Sequence, residues 1–130
     1  MPVVLIVDDD DNQRLLYSEE LRYEGYEIRQ ADCGQDAIKA VEEGGVDVVV
    51  LDIAMPGMDG IETLGRILDI DSQIPVVLNT AYSSYKDNFM TWAADAYVVK
   101  SSDLSGLKEH IACALQKRAA ESASQPPEER

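Results

Sequence analysis

The chain has 130 residues, the size of one compact domain, and 45% of them are hydrophobic, which is enough to form a core. Its 25 acidic residues outnumber 11 lysines and arginines and give a formal net charge of -14. Because a surface this negative repels phosphate backbones, we expect no direct binding to nucleic acid.

The remaining composition favours a cytoplasmic protein without membrane insertion. The longest apolar runs fall well short of the roughly 20 residues that span a membrane. We expect no signal peptide, because the chain enters its first strand directly. Cys33 and Cys113 lack the spacing of zinc or redox motifs and are interpreted as two reduced thiols.

Strand-like apolar runs alternate with helical patterns along the chain. The runs cover residues 3–7, 27–31, 46–51, 75–79 and 95–99. The first helical pattern covers residues 11–24 and ends at Gly25, and the second covers residues 33–43 and ends at Gly44. Apolar stripes at spacings of three and four mark two later helices, at Ile61, Leu64 and Leu68 and at Leu104, Leu107, Ile111 and Leu115. Five such βα units predict a parallel sheet with helices on both faces.

Two segments carry weaker signals. Residues 82–93 are polar with few apolar anchors, and we expect them to form a fourth, more mobile helix. From Ala119 onward the chain is small, polar and rich in proline, which predicts a disordered tail or the start of a linker. We therefore assign residues 1–118 to one domain and residues 119–130 to the tail.

Two of the predicted strands end in acidic residues. Asp52 follows the β-branched run 46–51, which is typical of a strand covered on both faces, and Asp8 to Asp11 follow the first strand. The carboxyl ends of parallel strands meet at one edge of a sheet, where like charges are unfavourable unless a divalent cation lies among them. The sequence therefore predicts Mg²⁺ beside Asp52. Asp10 and Asp11 are interpreted instead as caps of the first helix.

Four motifs resemble those of the receiver domains of bacterial two-component response regulators. They lie over residues 2–117, in the family's order and spacing, at the ends of strands one, three, four and five. The motifs are Val7-Asp8-Asp9 with Asn12-Gln13-Arg14-Leu15-Leu16, Leu51-Asp52-Ile53-Ala54-Met55-Pro56-Gly57-Met58-Asp59-Gly60, Asn79-Thr80-Ala81, and Ala96-Tyr97-Val98-Val99-Lys100. The resemblance implies a flavodoxin-like, doubly wound (βα)5 fold with five helices and strand order 2-1-3-4-5.

The resemblance also implies roles for the matching residues. Asp52 would be the phosphoacceptor, attacking a phosphohistidine of a sensor histidine kinase or a histidine phosphotransfer protein. Thr80 would hydrogen-bond a phosphoryl oxygen, and Lys100 would pair with the phosphoryl group. Tyr97 would be the aromatic switch whose rotamer follows Thr80. Ser101 stands where the family usually has a proline, often in a cis bond, so a trans peptide bond after Lys100 becomes compatible with the sequence and both geometries stay open.

The same resemblance suggests the metal ligands and two rate-tuning positions. Asp9, Asp52 and the backbone carbonyl of Ala54 would ligate Mg²⁺ directly, with Asp8 acting mostly through water. Ala54 lies two residues after Asp52, and Tyr82 lies two residues after Thr80. In this family, residues at these two positions tune the hydrolysis of the phosphoaspartate. We expect Ala54 to be unable to orient a water and Tyr82 to shield the phosphorus, so that the phosphorylated state is long-lived.

We therefore interpret the chain as a phosphorylation-dependent signalling switch rather than an enzyme, catalysing only its own phosphotransfer and slow autodephosphorylation. Phosphorylation would reshape the face made by helix four, strand five and helix five, for a downstream protein or for homodimerisation. A phosphorelay shuttle and an excised receiver of a larger regulator stay open. A phosphatase of the haloacid dehalogenase type is disfavoured, because it needs a second Asp where the chain has Ala54. A non-phosphorylated interaction module is disfavoured because Asp9, Asp52, Thr80 and Lys100 are all present.

Overall fold

A computed structural model describes residues 1–53, 60–81 and 93–124 of the chain. Five strands form one parallel sheet in the order β2-β1-β3-β4-β5, which confirms the predicted fold class. The strands are β1 (Val3–Val7), β2 (Glu27–Ala31), β3 (Val48–Leu51), β4 (Val76–Thr80) and β5 (Ala96–Val99). The helices of the described ranges are α1 (Asp11–Tyr23), α2 (Gly34–Glu43), α3 (Gly60–Ile70) and α4 (Ser105–Ser124). Apart from Ala93, the helix predicted over residues 82–93 lies outside the described residues.

The core lies in two layers, one on each face of the sheet. Alternate residues of a strand point to opposite faces, so Leu5 and Val7 pack towards α2 and α3 while Val4 and Ile6 pack towards α1 and α4. Every residue of β1, β3 and β4 is buried. This two-sided cover explains why these strands read as continuous apolar runs rather than as alternating patterns.

The helix boundaries follow local chemistry. The side chain of Asp10 accepts hydrogen bonds from the backbone N–H groups of Asn12 (2.9 Å) and Gln13 (3.2 Å), which confirms it as the cap of α1. Asp11 is instead the first helical residue and pairs with Arg14, so its interpretation as a cap is wrong. The second helix, α2, ends at Gly44 as predicted, because this glycine adopts a positive φ of 84°.

The last helix continues beyond the predicted end of the domain. α4 runs to Ser124, so the prediction of a disordered tail is wrong for residues 119–124, whereas residues 125–130 lie outside the described part of the chain. Alanine and glutamate favour helix in this stretch. Proline follows only at position 126, where it disfavours the helical conformation of the preceding residue. Among the described helices, none is long and apolar enough to cross a membrane.

Candidate functional site

The register of the sheet brings the predicted site residues to one edge. Val7 of β1 is paired with both Ala31 of β2 and Leu51 of β3, so these three strands end level with one another. Asp52 then continues the ladder, since its N–H donates to the carbonyl of Val7 at 3.0 Å. On the other side, the N–H of Lys100 donates to the carbonyl of Thr80 at 2.7 Å. Residues that are far apart in sequence therefore converge because their strands end together.

Three carboxylates gather at this edge. Asp8, Asp9 and Asp52 each place one carboxylate oxygen within 4.8 Å of the others. Asp8 and Asp52 are buried and Asp9 is exposed. A set of hard oxygen donors with one side open to solvent fits Mg²⁺, which binds through one or two carboxylates and keeps several waters. These three residues could hold the ion, whereas the carbonyl of Ala54, the fourth predicted ligand, lies outside the described residues.

Lys100 joins the two buried carboxylates. Its ammonium donates to Oδ2 of Asp8 at 2.8 Å and to Oδ2 of Asp52 at 2.9 Å. Burial by itself lowers the pKa of Lys100, but the hydrogen bonds and the attraction to both carboxylates outweigh it and raise the pKa above its ordinary value. The lysine is therefore a permanent positive charge at this edge. The peptide bond after Lys100 is trans, one of the two geometries that the sequence leaves open.

Burial destabilises the ionised form of Asp8. Burial raises its pKa above the ordinary value of 3.8, although hydrogen bonds from Lys100 and from the N–H of Asp10 act in the opposite direction. Its Oδ1 accepts from Asp10 at 2.9 Å, and its carboxylate also experiences the charge of Asp52. The ionised form of Asp8 is thus held at a net cost, which a cation at this position would reduce.

Thr80 and Tyr97 lie on the same face of the sheet. Thr80 is fully buried at the end of β4, and Tyr97 is half-buried against the core layer of α2 and α3. Tyr97 is paired with Leu78, two residues before Thr80 on β4. Since residues two apart in a strand share a face, the tyrosine is a diagonal neighbour of the threonine. The geometry suits a pair of side chains that move together. Tyr82, the predicted shielding residue, lies outside the described residues.

One contact at the site was not anticipated from the sequence. Arg14 belongs to the first motif, which implies no role for its side chain, and its guanidinium donates to the backbone carbonyl of Asp8 at 2.7 Å. The available signal was a basic residue one helical turn after an acidic run, a pattern that also occurs on ordinary helix surfaces. Cys33 and Cys113 are free, and His110 is exposed on α4.

The fold and this edge define the class of protein. The structure is a flavodoxin-like α/β domain whose carboxyl edge joins acidic residues, a buried threonine and a partly buried lysine. Comparison with known proteins gives the family: the model of the response regulator receiver domain matches residues 4–112. The chain belongs to this family.

Solved structures of the family are close in both sequence and shape. The chain is 45% identical to the response regulator protein TrrA from Thermotoga maritima, solved in complex with Mg²⁺-BeF, with a TM-score of 0.86 over 88% of this chain and 100% of TrrA. A structure of the histidine kinase ThkA in complex with TrrA gives 45% identity and a TM-score of 0.83, over 88% of this chain and 99% of that one.

Curated relatives are longer than this chain. The uncharacterized transcriptional regulatory protein YkoG of Bacillus subtilis is 36% identical over 115 residues, which cover 87% of this chain and 50% of YkoG. The transcriptional regulatory protein TrcR of Mycobacterium tuberculosis is 39% identical over 106 residues, covering 80% and 41%. The chain thus spans half or less of the length of these relatives.

Proposed function

We propose that this receiver domain is a phosphorylation-dependent switch that accepts a phosphoryl group on Asp52 with the help of Mg²⁺. One observation carries the proposal: the buried carboxylate of Asp52 lies within 4.8 Å of two further carboxylates and 2.9 Å from the ammonium of Lys100. A nucleophile, a cation site and a fixed positive charge therefore occupy one small edge. Phosphoryl transfer depends on this combination of positioning and charge neutralisation.

The transfer forms one bond and breaks another. An oxygen of Asp52 bonds to phosphorus while the N–P bond of the donor phosphohistidine breaks, and the electron pair of that bond stays on the imidazole. Lys100 would stabilise the charge on the transferred group, and the hydroxyl of Thr80 would donate to one of its oxygens. Asp8, Asp9, Asp52 and the carbonyl of Ala54 would hold Mg²⁺, which when bound supplies further neutralisation of phosphoryl charge.

The response of the domain would start at Thr80. Movement of its side chain towards the phosphoryl group would leave space that Tyr97, its diagonal neighbour on β5, could enter. The surface formed by β5, α4 and the predicted helix over residues 82–93 would then change its shape. We propose that this surface binds a downstream protein or a second copy of the chain.

The proposed donor is a sensor histidine kinase or a histidine phosphotransfer protein of the same cytoplasm. The complex of TrrA with the kinase ThkA supports this class of partner. A shuttle in a phosphorelay and a receiver excised from a larger regulator use the same site, so both stay compatible with the proposal. The presence of Asp9, Asp52 and Lys100 in one cluster supports a phosphorylated rather than a purely interacting domain.

Intact-mass measurement after incubation with acetyl phosphate tests the proposal. We expect one added phosphoryl group that requires Mg²⁺, disappears in Asp52→Asn and persists in Asp36→Asn, a matched change of an exposed aspartate. An adduct that survives in Asp52→Asn would contradict the assignment of the phosphoacceptor. If acetyl phosphate gives no adduct in the folded wild-type protein, and a phosphorylated kinase also fails to transfer its group, the switch itself would be contradicted.

The lifetime of the adduct tests the two rate-tuning positions. If the side chain of Tyr82 shields the phosphorus, Tyr82→Ala should dephosphorylate several times faster than wild type, as measured by the decay of the phosphorylated mass after donor removal. Tyr82→Phe is the control that keeps the ring. An unchanged decay rate in Tyr82→Ala would show that Tyr82 does not shield the group.

A further inference from the structure

Arg14 makes three hydrogen bonds from the first turn of α1, and one of them reaches the acidic edge. Its Nη1 donates to the backbone carbonyl of Asp8 at 2.7 Å, and its Nε donates to Oε1 of Gln30 at 3.1 Å. Its Nη2 pairs with the carboxylate of Asp11. The side chain is only 16% exposed, so the guanidinium is held between α1, β2 and the end of β1. Such planar, multiply bonded arginines are fixed in orientation.

The contact with Asp8 is to its backbone and not to its carboxylate. That carbonyl belongs to the peptide that links Asp8 to Asp9, and a peptide unit is rigid and planar. Fixing the carbonyl therefore fixes the direction in which the chain enters Asp9. The same stretch is held further by the N–H of Asp8, which donates to the carbonyl of Ala31 at 3.1 Å. Arg14 thus restrains the backbone that presents the exposed carboxylate of the cluster.

Arg14 and Lys100 act on the cluster in different ways. Lys100 bonds one carboxylate oxygen of Asp8 and one of Asp52, the same two carboxyl groups that would take part in the cation site. Arg14 uses a carbonyl, so its bond is compatible with any occupant of the carboxylates. We propose that Arg14 is a positioning residue for the cation site, which orients Asp9 towards Asp8 and Asp52 before the ion binds. The inference rests on the proposed Mg²⁺ site.

A titration with Mg²⁺ followed by amide NMR shifts tests this role without phosphorylation. Residues that hold a metal ligand in place typically change metal affinity by about 10- to 100-fold when mutated. We therefore expect Arg14→Met to raise the Kd for Mg²⁺ by about 10-fold. We expect Gln30→Ala, which removes another partner of Arg14 without changing the charge, to stay within about twofold. Arg14→Lys keeps the charge and should recover part of the affinity.

The direction of the change in Mg²⁺ affinity distinguishes a positioning role of Arg14 from a purely electrostatic effect. Removal of a positive charge near three carboxylates would, by itself, strengthen the binding of a cation. Tighter or unchanged Mg²⁺ binding in folded Arg14→Met would therefore overturn the positioning role. If Arg14→Met does not fold, Arg14→Gln, which also removes the charge, decides, and unchanged or tighter Mg²⁺ binding in that variant would overturn the role. If the wild-type protein binds no Mg²⁺, the cation site fails as well, an outcome distinguishable from failure at Arg14 alone.

Discussion

The two edges of the sheet use the same residue types for different purposes. At the amino edge three aspartates have structural partners: Asp47 accepts from the N–H of Val3 at 2.7 Å, Asp71 pairs with Arg118 at 3.1 Å, and Asp95 pairs with Lys117 at 3.4 Å. At the carboxyl edge three carboxylates lie close together, and the two buried ones share Lys100 as a partner. The comparison indicates that aspartates mark a candidate functional site where several carboxylates lie together, two of them buried, and share a single positively charged partner.

Removal of the shared lysine is the strongest test of this difference. Lys100→Met leaves two buried carboxylates without their common partner, and breaking a buried ion pair in this way costs about 3–5 kcal/mol of unfolding free energy. Lys117→Met removes an exposed pair and should cost less than about 1 kcal/mol. Urea unfolding at neutral pH with a chelator measures both values. Equal losses in the two variants would contradict the contrast between the edges.

The space available for a side chain at Gly60 and at Gly44 provides a second comparison of the two edges. Gly60 begins α3 at the carboxyl edge, where an added Cβ would lie 2.1 Å from the Cα of Ile53. Because the Cα of Ile53 belongs to the backbone and cannot easily move aside, Gly60→Ala should lose about 3 kcal/mol or more of unfolding free energy in chemical denaturation. Gly44, at the amino edge, has open space and a φ of 84°, so Gly44→Ala should lose about 1–2 kcal/mol from strain alone. A milder effect at Gly60 than at Gly44 would refute this order.

Replacement of Asp8 is expected to have a smaller effect of opposite sign, an increase in the free energy of unfolding. Because burial raises its pKa above 3.8, the folded protein binds this proton more tightly than the unfolded chain, and stability is lost as the pH rises through the raised pKa. Asp8→Asn should remove this loss and be more stable than wild type at pH 7 without divalent cations, but not at pH 3. Thermal unfolding across this pH range measures it.

Asp47 supplies the matched control at the amino edge. Asp47→Ala deletes the acceptor of the Val3 N–H and should lower the unfolding free energy by about 1 kcal/mol. If Asp8→Asn is less stable than wild type at pH 7, like Asp47→Ala, then Asp8 has a structural role similar to that of the amino-edge aspartates.

Much of the fold was predictable because local signals agreed with tertiary structure. The β-branched runs that end at Val7 and Leu51 became fully buried strands, and Gly44 ended its helix. The end of α4 was mispredicted because a segment of alanine and polar residues is typical both of a disordered tail and of a helix. Here the segment follows directly on an existing helix, and extending a helix is easier than starting a new one.

The site was predictable to the extent that its residues follow strands. Asp8, Asp52 and Lys100 each come directly after a strand, so the topology alone brings them together. The contact from Arg14 to the Asp8 carbonyl was not predictable, because it depends on how the first turn of α1 folds back over the end of β1.

Location of the phosphoryl group tests the central claim most directly. Borohydride reduction of the protein after treatment with acetyl phosphate and Mg²⁺ converts a phosphoaspartate to homoserine, which peptide mass spectrometry can place. We predict homoserine at position 52, with none at the amino-edge positions 47, 71 and 95. Homoserine at position 8 or 9, with Asp52 intact, would contradict it.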